Sequence, residues 1–383
     1  LPGFVKNALL MAVSLFVALL MVEAALRYLE QRKWEPQETG FNYVNSPLYA
    51  SLGKSNSTGL HETLEFTVTL SANADGFRMD SEDQDARIAF IGDSYTWGTG
   101  VEREERFSNL LAQSLGQPVS NWGLATSGTI NELAVYQDFV KAARPEIVVL
   151  MFYPNDVQNN SWWSGYFGGR AFDQPNLQEV MNEVRELESR PAGGVRPDPF
   201  STYLRIQGLI SQVWERIFSV ETEQTVSFSV SNGSIYEIGR QHVEATSNWS
   251  AALETYSVPI ENGWALTELA LEQLADQVKG VNAKLLVGYI PYQEAVYPED
   301  WPQRKTTFRL EIPDELLLWD KPREVLEQLA GKVGAEFVDL TPALIANRGQ
   351  RLYYLFDGHL TAHGHVVVAE TLQPVISAAL AGP

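Results

Sequence analysis

The chain contains no cysteine among its 383 residues. That excludes disulfide staples, thiolate nucleophiles and cysteine-bound zinc or iron–sulfur centres, and it leaves the cellular compartment open. Histidine is scarce as well, so imidazole chemistry must come from His61, His242, His359, His363 or His365. Positive charge is short: 28 Lys and Arg stand against 48 Asp and Glu, for a formal net charge of −20. A surface of that sign repels phosphate backbones and anionic lipid, which argues against a nucleic-acid partner. The length exceeds one average domain, yet a single α/β domain with insertions absorbs most of it.

A long apolar run is present near the start. It extends almost uninterrupted from Ala8 to Val22, follows Lys6 and resumes with Ala24, Ala25 and Leu26 after Glu23. An α-helix needs roughly twenty residues to cross the hydrocarbon core, and Lys6 and Arg27 can snorkel at the two ends. The first reading of residues 1–33 is therefore a single-pass transmembrane anchor, with the globular part extracytoplasmic. The second is a cleaved signal peptide, for which the small residues Ala24 and Ala25 speak. Residues 34–65 are polar and turn-rich and read as a linker or irregular arm.

Beyond the arm, five apolar or β-branched runs stand out: RIAFIGDS, QPVSNWG, EIVVLMFY, AKLLVGYIPY and AEFVDLTP. Each reads as a buried parallel strand, and helical patterns alternate with them, among them EERFSNLLAQSLG, GWALTELALEQLADQVKG and AHGHVVVAETLQPVISAALAG. The alternation predicts an α/β fold with a doubly wound parallel sheet, because right-handed crossovers place helices over both faces. Residues 66–157 and 259–383 carry this pattern. Residues 158–258 interrupt it and read as an insertion, a lid or a partner surface.

In doubly wound sheets ligands bind at the carboxyl ends of the strands, and the polar residues here gather at such ends. The first strand runs into Gly92-Asp93-Ser94, where a serine can cap the next helix or act as a nucleophile. A serine nucleophile needs a base that titrates near neutrality and a carboxylate to fix its tautomer. Asp357 and His359, two residues apart in the sequence, supply that pair. Asn155 follows the third strand, where its amide can donate to a developing oxyanion, and the small-residue loop NWGLATSGT follows the second. Taken singly, each has a bland reading: Asn155 as a turn residue, Asp357 as a cap.

As an ordered set, Gly92-Asp93-Ser94, the loop after Asn121, Asn155-Asp156 and Asp357-x-His359 resemble the SGNH (GDSL-type) hydrolase superfamily. The N-terminal apolar helix, the segment ANADGFRMD and the tail DGHLTAHGHVVVAE resemble its membrane-anchored bacterial branch, which includes polysaccharide O-acetyltransferase and acetylesterase relatives. The resemblance implies a flavodoxin-like five-stranded sheet, Ser94 as nucleophile, His359 as general base and acid, and Asp357 as its orienting carboxylate. It also implies an oxyanion hole built from the Ser94 amide, the Asn155 side chain and a third backbone amide, at Thr126, Gly128 or Gly123.

The activity implied by the resemblance is that of an esterase or O-acyltransferase acting on an O-acylated glycan or a small ester, with no cofactor and no metal. The alternative is a catalytically idle subunit of the same fold, held in a membrane protein complex with other membrane subunits. The other histidines take structural readings. A metal on His359, His363 and His365 would need helical spacing that Gly364 weakens. The tryptophans of SWWSGYF pack the insertion, stack on carbohydrate or sit at a membrane interface.

Overall fold

A computed structural model describes residues 40–79, 86–168, 170–189, 235–238, 241–244, 248–308, 310 and 312–382. The expected anchor helix lies outside the described residues, as do residues 190–234. From Phe41 onward the described residues belong to one unit, formed by Phe41–Ser189 and Val226–Pro383.

The five apolar runs are strands: β1 (Ile88–Gly92), β2 (Val119–Gly123), β3 (Ile147–Phe152), β4 (Lys284–Tyr289) and β5 (Glu336–Asp339). They form one sheet in the order β2-β1-β3-β4-β5, with every neighbouring pair parallel. That is the flavodoxin-like order, with its switch point between β1 and β3. The strands lack polar alternation because both faces are covered. Ala89, Ile91, Val148, Leu150 and Phe152 enter the core on one face, while Ile88, Phe90, Ile147, Val149 and Met151 enter the core on the other. Each such side chain contributes about 1.5–3 kcal/mol on burial, which is what selects this two-sided layering.

Eight helices and one short turn of helix matter for the site or its support. They are α1 (Ser94–Trp97), α2 (Phe107–Leu115), α3 (Thr129–Val135), α4 (Asn155–Trp163), α5 (Gln174–Ser189), α6 (Val258–Gly280), α7 (Trp301–Phe308), α8 (Lys321–Val333) and α9 (Ala362–Ala381). Helices α3, α5, α6 and α8 cover the first face of the sheet, and α2 and α9 the second. Helix α9 is long and apolar enough to cross a membrane, but Val367, Val368, Leu372 and Ile376 are spent on the second core. Thr361 caps its start by accepting from the Gly364 amide.

Two regions differ from their sequence reading. The segment 34–65 that reads as an arm holds structure: Tyr43–Ser46 pairs with Ala50–Gly53, and Thr58–Glu62 pairs with Thr67–Ser71 just beyond it, both antiparallel. These strands are short, polar and exposed along one side, so they leave no apolar run to read. Their anchors are few: Leu48 at 1% exposure for the first hairpin, and Val68 and Leu70 with Phe66 for the second. The segment that reads as an insertion is also partly core, since Leu177, Val180, Met181 and Val184 of α5 join the first face. The acidic, polar side of α5 gives it the pattern of a separate surface helix. A small hairpin, Ile235–Ile238 with Gln241–Glu244, belongs to the same segment.

Candidate active site

Strand β1 is buried along its whole length and delivers Asp93 and Ser94 to its carboxyl end. The cap of α1 is Asp93, whose carboxylate accepts the Tyr95 amide at 2.9 Å. Ser94 is thus relieved of capping and opens the helix, its hydroxyl making only a long 3.5 Å contact with the Asp93 carboxylate on that side. The neighbouring strand end must come very close: a Cβ on Gly123 would lie 2.2 Å from the Trp97 nitrogen, so only glycine fits there. Behind the turn, fully buried Arg78 donates to the carbonyls of Gly98 (2.7 Å), Val101 (2.8 Å) and Thr69 (3.1 Å).

The second half of the site is the turn before α9. Gly358, at φ +88°, takes the left-handed conformation that folds Asp357 and His359 onto the same side. His359 Nδ1 lies 2.6 Å from Asp357 Oδ1, and His359 Nε2 lies 2.8 Å from Ser94 Oγ. The hydroxyl, imidazole and carboxylate therefore form one continuous chain, with Ser94 6% exposed. Tyr95 ties the halves together: its hydroxyl donates to the Gly358 carbonyl at 2.8 Å, and its ring centroid is 4.9 Å from that of His359.

This turn is gripped from both of its backbone polarities. Glu65, from the loop joining the second N-terminal hairpin, accepts the amides of Leu355 (2.7 Å), Phe356 (3.0 Å) and Asp357 (2.7 Å). Arg304 of α7 donates to the carbonyls of Leu355 and Phe356 and is itself held by Glu294 (2.8 Å) and Gln293 (3.0 Å). Neither residue belongs to a recognisable motif. Their partners are main-chain groups, Leu355 being 290 residues from Glu65, and no local pattern encodes such a contact.

A cleft of about 410 Å³ opens over Ser94 and His359 and is walled by Thr126, Asn155, Trp162 and Trp249. Asn155 is the first residue of α4, and its amide bonds the Asp93 carboxylate. Among the three candidates for a further backbone donor, Gly123 donates to Asn121 and Gly128 to Asn131, while Thr126 faces the cleft. Among the described residues neither the Thr126 nor the Ser94 amide is engaged by another group. Gly128 instead packs behind the site, where a Cβ would meet Asn160 at 2.5 Å.

The electrostatics are uneven. Burial pushes the Asp357 carboxyl up, but the hydrogen bond and charge of His359 outweigh it and hold the group below the usual aspartate range. Burial raises Asp93 to about 6, against the pull of the Tyr95 amide and of His359. Two more fully buried carboxyls, Glu132 and Asp156, are pushed well above their ordinary values by burial and by one another or Asp93. His365 is driven down to about 3 by burial, and its Nδ1 accepts the Phe107 amide at 3.2 Å, so it is a neutral core residue. His363 is half-buried on α9, and His61 packs against Phe66. Among the described residues no group of His, Asp or Glu side chains is placed to hold a metal ion.

No family model and no curated protein matches the chain. Solved structures similar to it include TesA, at 11% identity over 76% of this chain and 98% of that one, with a TM-score of 0.39. Others are an acetylxylan esterase from Geobacillus stearothermophilus, at 15% identity over 75% and 92% with a TM-score of 0.36, and a protein of the G-D-S-L family from Desulfitobacterium hafniense DCB-2, at 11% identity over 75% and 98% with a TM-score of 0.36. Likeness at this level assigns no role to any residue, and roles must come from the geometry of the site.

Proposed function

We propose that the protein is a serine esterase or O-acyltransferase of SGNH type. The observation that carries this reading is the unbroken chain from Ser94 Oγ through His359 to Asp357, at 2.8 and 2.6 Å. In this mechanism Ser94 Oγ attacks the acyl carbonyl as His359 Nε2 takes its proton, and Asp357 keeps the Nδ1 proton facing itself and stabilises the imidazolium. The tetrahedral oxyanion is received by the Ser94 amide, the Asn155 side-chain amide and the Thr126 amide. Collapse breaks the ester C–O bond and expels the alcohol, whose oxygen takes from His359 the proton that Ser94 gave up. A water molecule or an acceptor hydroxyl then resolves the acyl-enzyme by the same steps in reverse.

The acyl group on this reading is small, an O-acetyl on a glycan, and the chain is tethered to a membrane through the Ala8–Val22 segment with its site outside the cytoplasm. The opening of the cleft, edged by Trp162, Trp249 and Asn248, favours a polar, ring-bearing alcohol over a long acyl chain. The test is labelling with a fluorophosphonate probe alongside acetate release from an aryl acetate. Covalent labelling that disappears in Ser94→Ala supports the reading. An unlabelled wild-type chain that co-purifies in fixed ratio with membrane proteins would instead identify an idle subunit.

A further inference from the structure

Beside the catalytic cleft lies a second depression of about 380 Å³, and the two share Thr126, Asn159 and Trp162. Its far side is built by the first N-terminal hairpin, through Asn45 and Ser51, and its end by Tyr166. Helix α4 connects the two. Asn155, Asn159 and Trp162 fall at spacings of four and three residues, so they share one face of the helix. At 1.5 Å per residue that face leads about 10 Å from the oxyanion donor to the indole.

The lining has a distinct chemistry. Trp162 is 60% exposed and Tyr166 42%, a costly display for aromatic rings that burial would stabilise by about 1.5–3 kcal/mol each. The ring of Trp163, 3% exposed, lies 5.4 Å from that of Tyr166 and holds it in place from beneath. Between the aromatics stand amides and hydroxyls, and none of the described residues lining the depression is charged. Asn45 accepts from Ser51 at 2.9 Å and keeps its N–H groups, and Asn159 gives its N–H to the Ser127 carbonyl and keeps its oxygen. An acyl chain would desolvate these polar atoms without compensating them, and a phosphate or uronate would find no cation. Flat apolar faces interleaved with neutral donors and acceptors match the alternating C–H faces and hydroxyl edges of a sugar ring.

We infer that this depression is a binding site for a neutral glycan chain, continuous with the catalytic cleft. The acyl-bearing ring sits at Ser94, and the following rings run along α4 over Trp162 towards Tyr166. The inference deepens the glycan reading above and rests on it for direction, but not for its test. Binding is measured on the full chain carrying Ser94→Ala, which removes the chemistry, by calorimetry and by quenching of tryptophan fluorescence. The probes are neutral hexasaccharides with β-linked glucose, xylose, mannose or N-acetylglucosamine, with oligogalacturonate as the acidic control.

At least one neutral hexasaccharide is expected to bind, and its trisaccharide to bind more weakly. Adding Trp162→Ala or Tyr166→Ala should weaken that binding at least tenfold with an unchanged thermal melt, while Trp162→Phe restores most of it. Three results overturn the inference: no neutral hexasaccharide binds at millimolar concentration, the alanine variants bind as the parent does, or the acidic oligomer binds more tightly than every neutral one. A failure of fluorophosphonate labelling with hexasaccharide binding intact would sink the esterase reading and leave this site standing.

Discussion

At the scale of single residues, the site separates two aspartates by what surrounds them. Asp93 is fully buried and spends its carboxylate on the Tyr95 amide and the Asn155 side chain, which makes it a structural cap beside the serine. Asp357 is partly solvated and spends its carboxylate on imidazole. The two therefore differ in what an amide replacement does. Asp357→Asn keeps the shape but offers Nδ1 a donor where it needs an acceptor, so the imidazole turns or changes tautomer and the base faces Ser94 wrongly. Its kcat on an aryl acetate should fall roughly 10³–10⁴-fold with KM little changed, and Ser94→Ala should fall at least as far. A loss of under tenfold in Asp357→Asn would mean that some other group orients His359. The lowered Asp357 value also shapes the pH profile, because that carboxyl is held below the usual aspartate range and stays ionised near neutral pH. The acid limb of kcat/KM should accordingly not be set by Asp357.

At the scale of elements, the turn at 353–359 is precise because segments far apart in the chain hold it. Glu65 fixes three of its amides and Arg304 two of its carbonyls, so the turn depends on a hairpin and a helix as well as on its own sequence. Glu65 is a positioning residue, and Glu65→Gln tests it, since it keeps the shape but loses the charge and sets an NH2 donor against at least one of the amides that both carboxylate oxygens accept from. The expected result is a kcat lowered between about 10- and 100-fold with KM within a factor of two and slower fluorophosphonate labelling. A variant that merely lost stability would lower active fraction without slowing the labelling of the molecules that remain folded. The same contrast decides what the sequence made legible. Gly92-Asp93-Ser94 and Asp357-Gly358-His359 could be read because their geometry is set within three residues, and the five strands because parallel strands covered on both faces leave continuous apolar runs. Glu65 and Arg304 could not, since they act on main-chain atoms hundreds or tens of residues away. The hairpins sit between these cases. Thr67–Ser71 does alternate, with Val68 and Leu70 turned inward, but a five-residue signal amid polar turns is easily passed over.

At the scale of the whole molecule, the buried ionisable groups pull stability in opposite directions with pH. Glu132, Asp156 and Asp93 have raised values in the folded chain, so between the ordinary carboxyl range near 4 and those raised values the native state holds protons that the unfolded state has released. Their contribution is present below about pH 4 and is lost as pH rises through the folded values. His365 has the reverse sign. Its folded value of about 3 lies below the free imidazole range, so the unfolded chain takes up a proton that the native core refuses, and stability is lost as pH falls below about 6.5. Glu132 isolates the first arm. Its Oε1 accepts from Ser127 at 3.0 Å, a bond that the amide oxygen of glutamine can also accept, while Oε2 is buried without a partner. Glu132→Gln therefore removes the cost of a desolvated carboxyl at neutral pH while keeping the packing of α3. Thermal melts should show a gain of about 2–5 °C at pH 8, on the scale of one to two kcal/mol for a domain of a few hundred residues, shrinking towards zero at pH 4 where both states carry the proton. A gain that persisted undiminished at pH 4 would show that the carboxyl is not titrating with folding, and a loss at pH 8 would show that its charge is stabilised by a partner in the native chain.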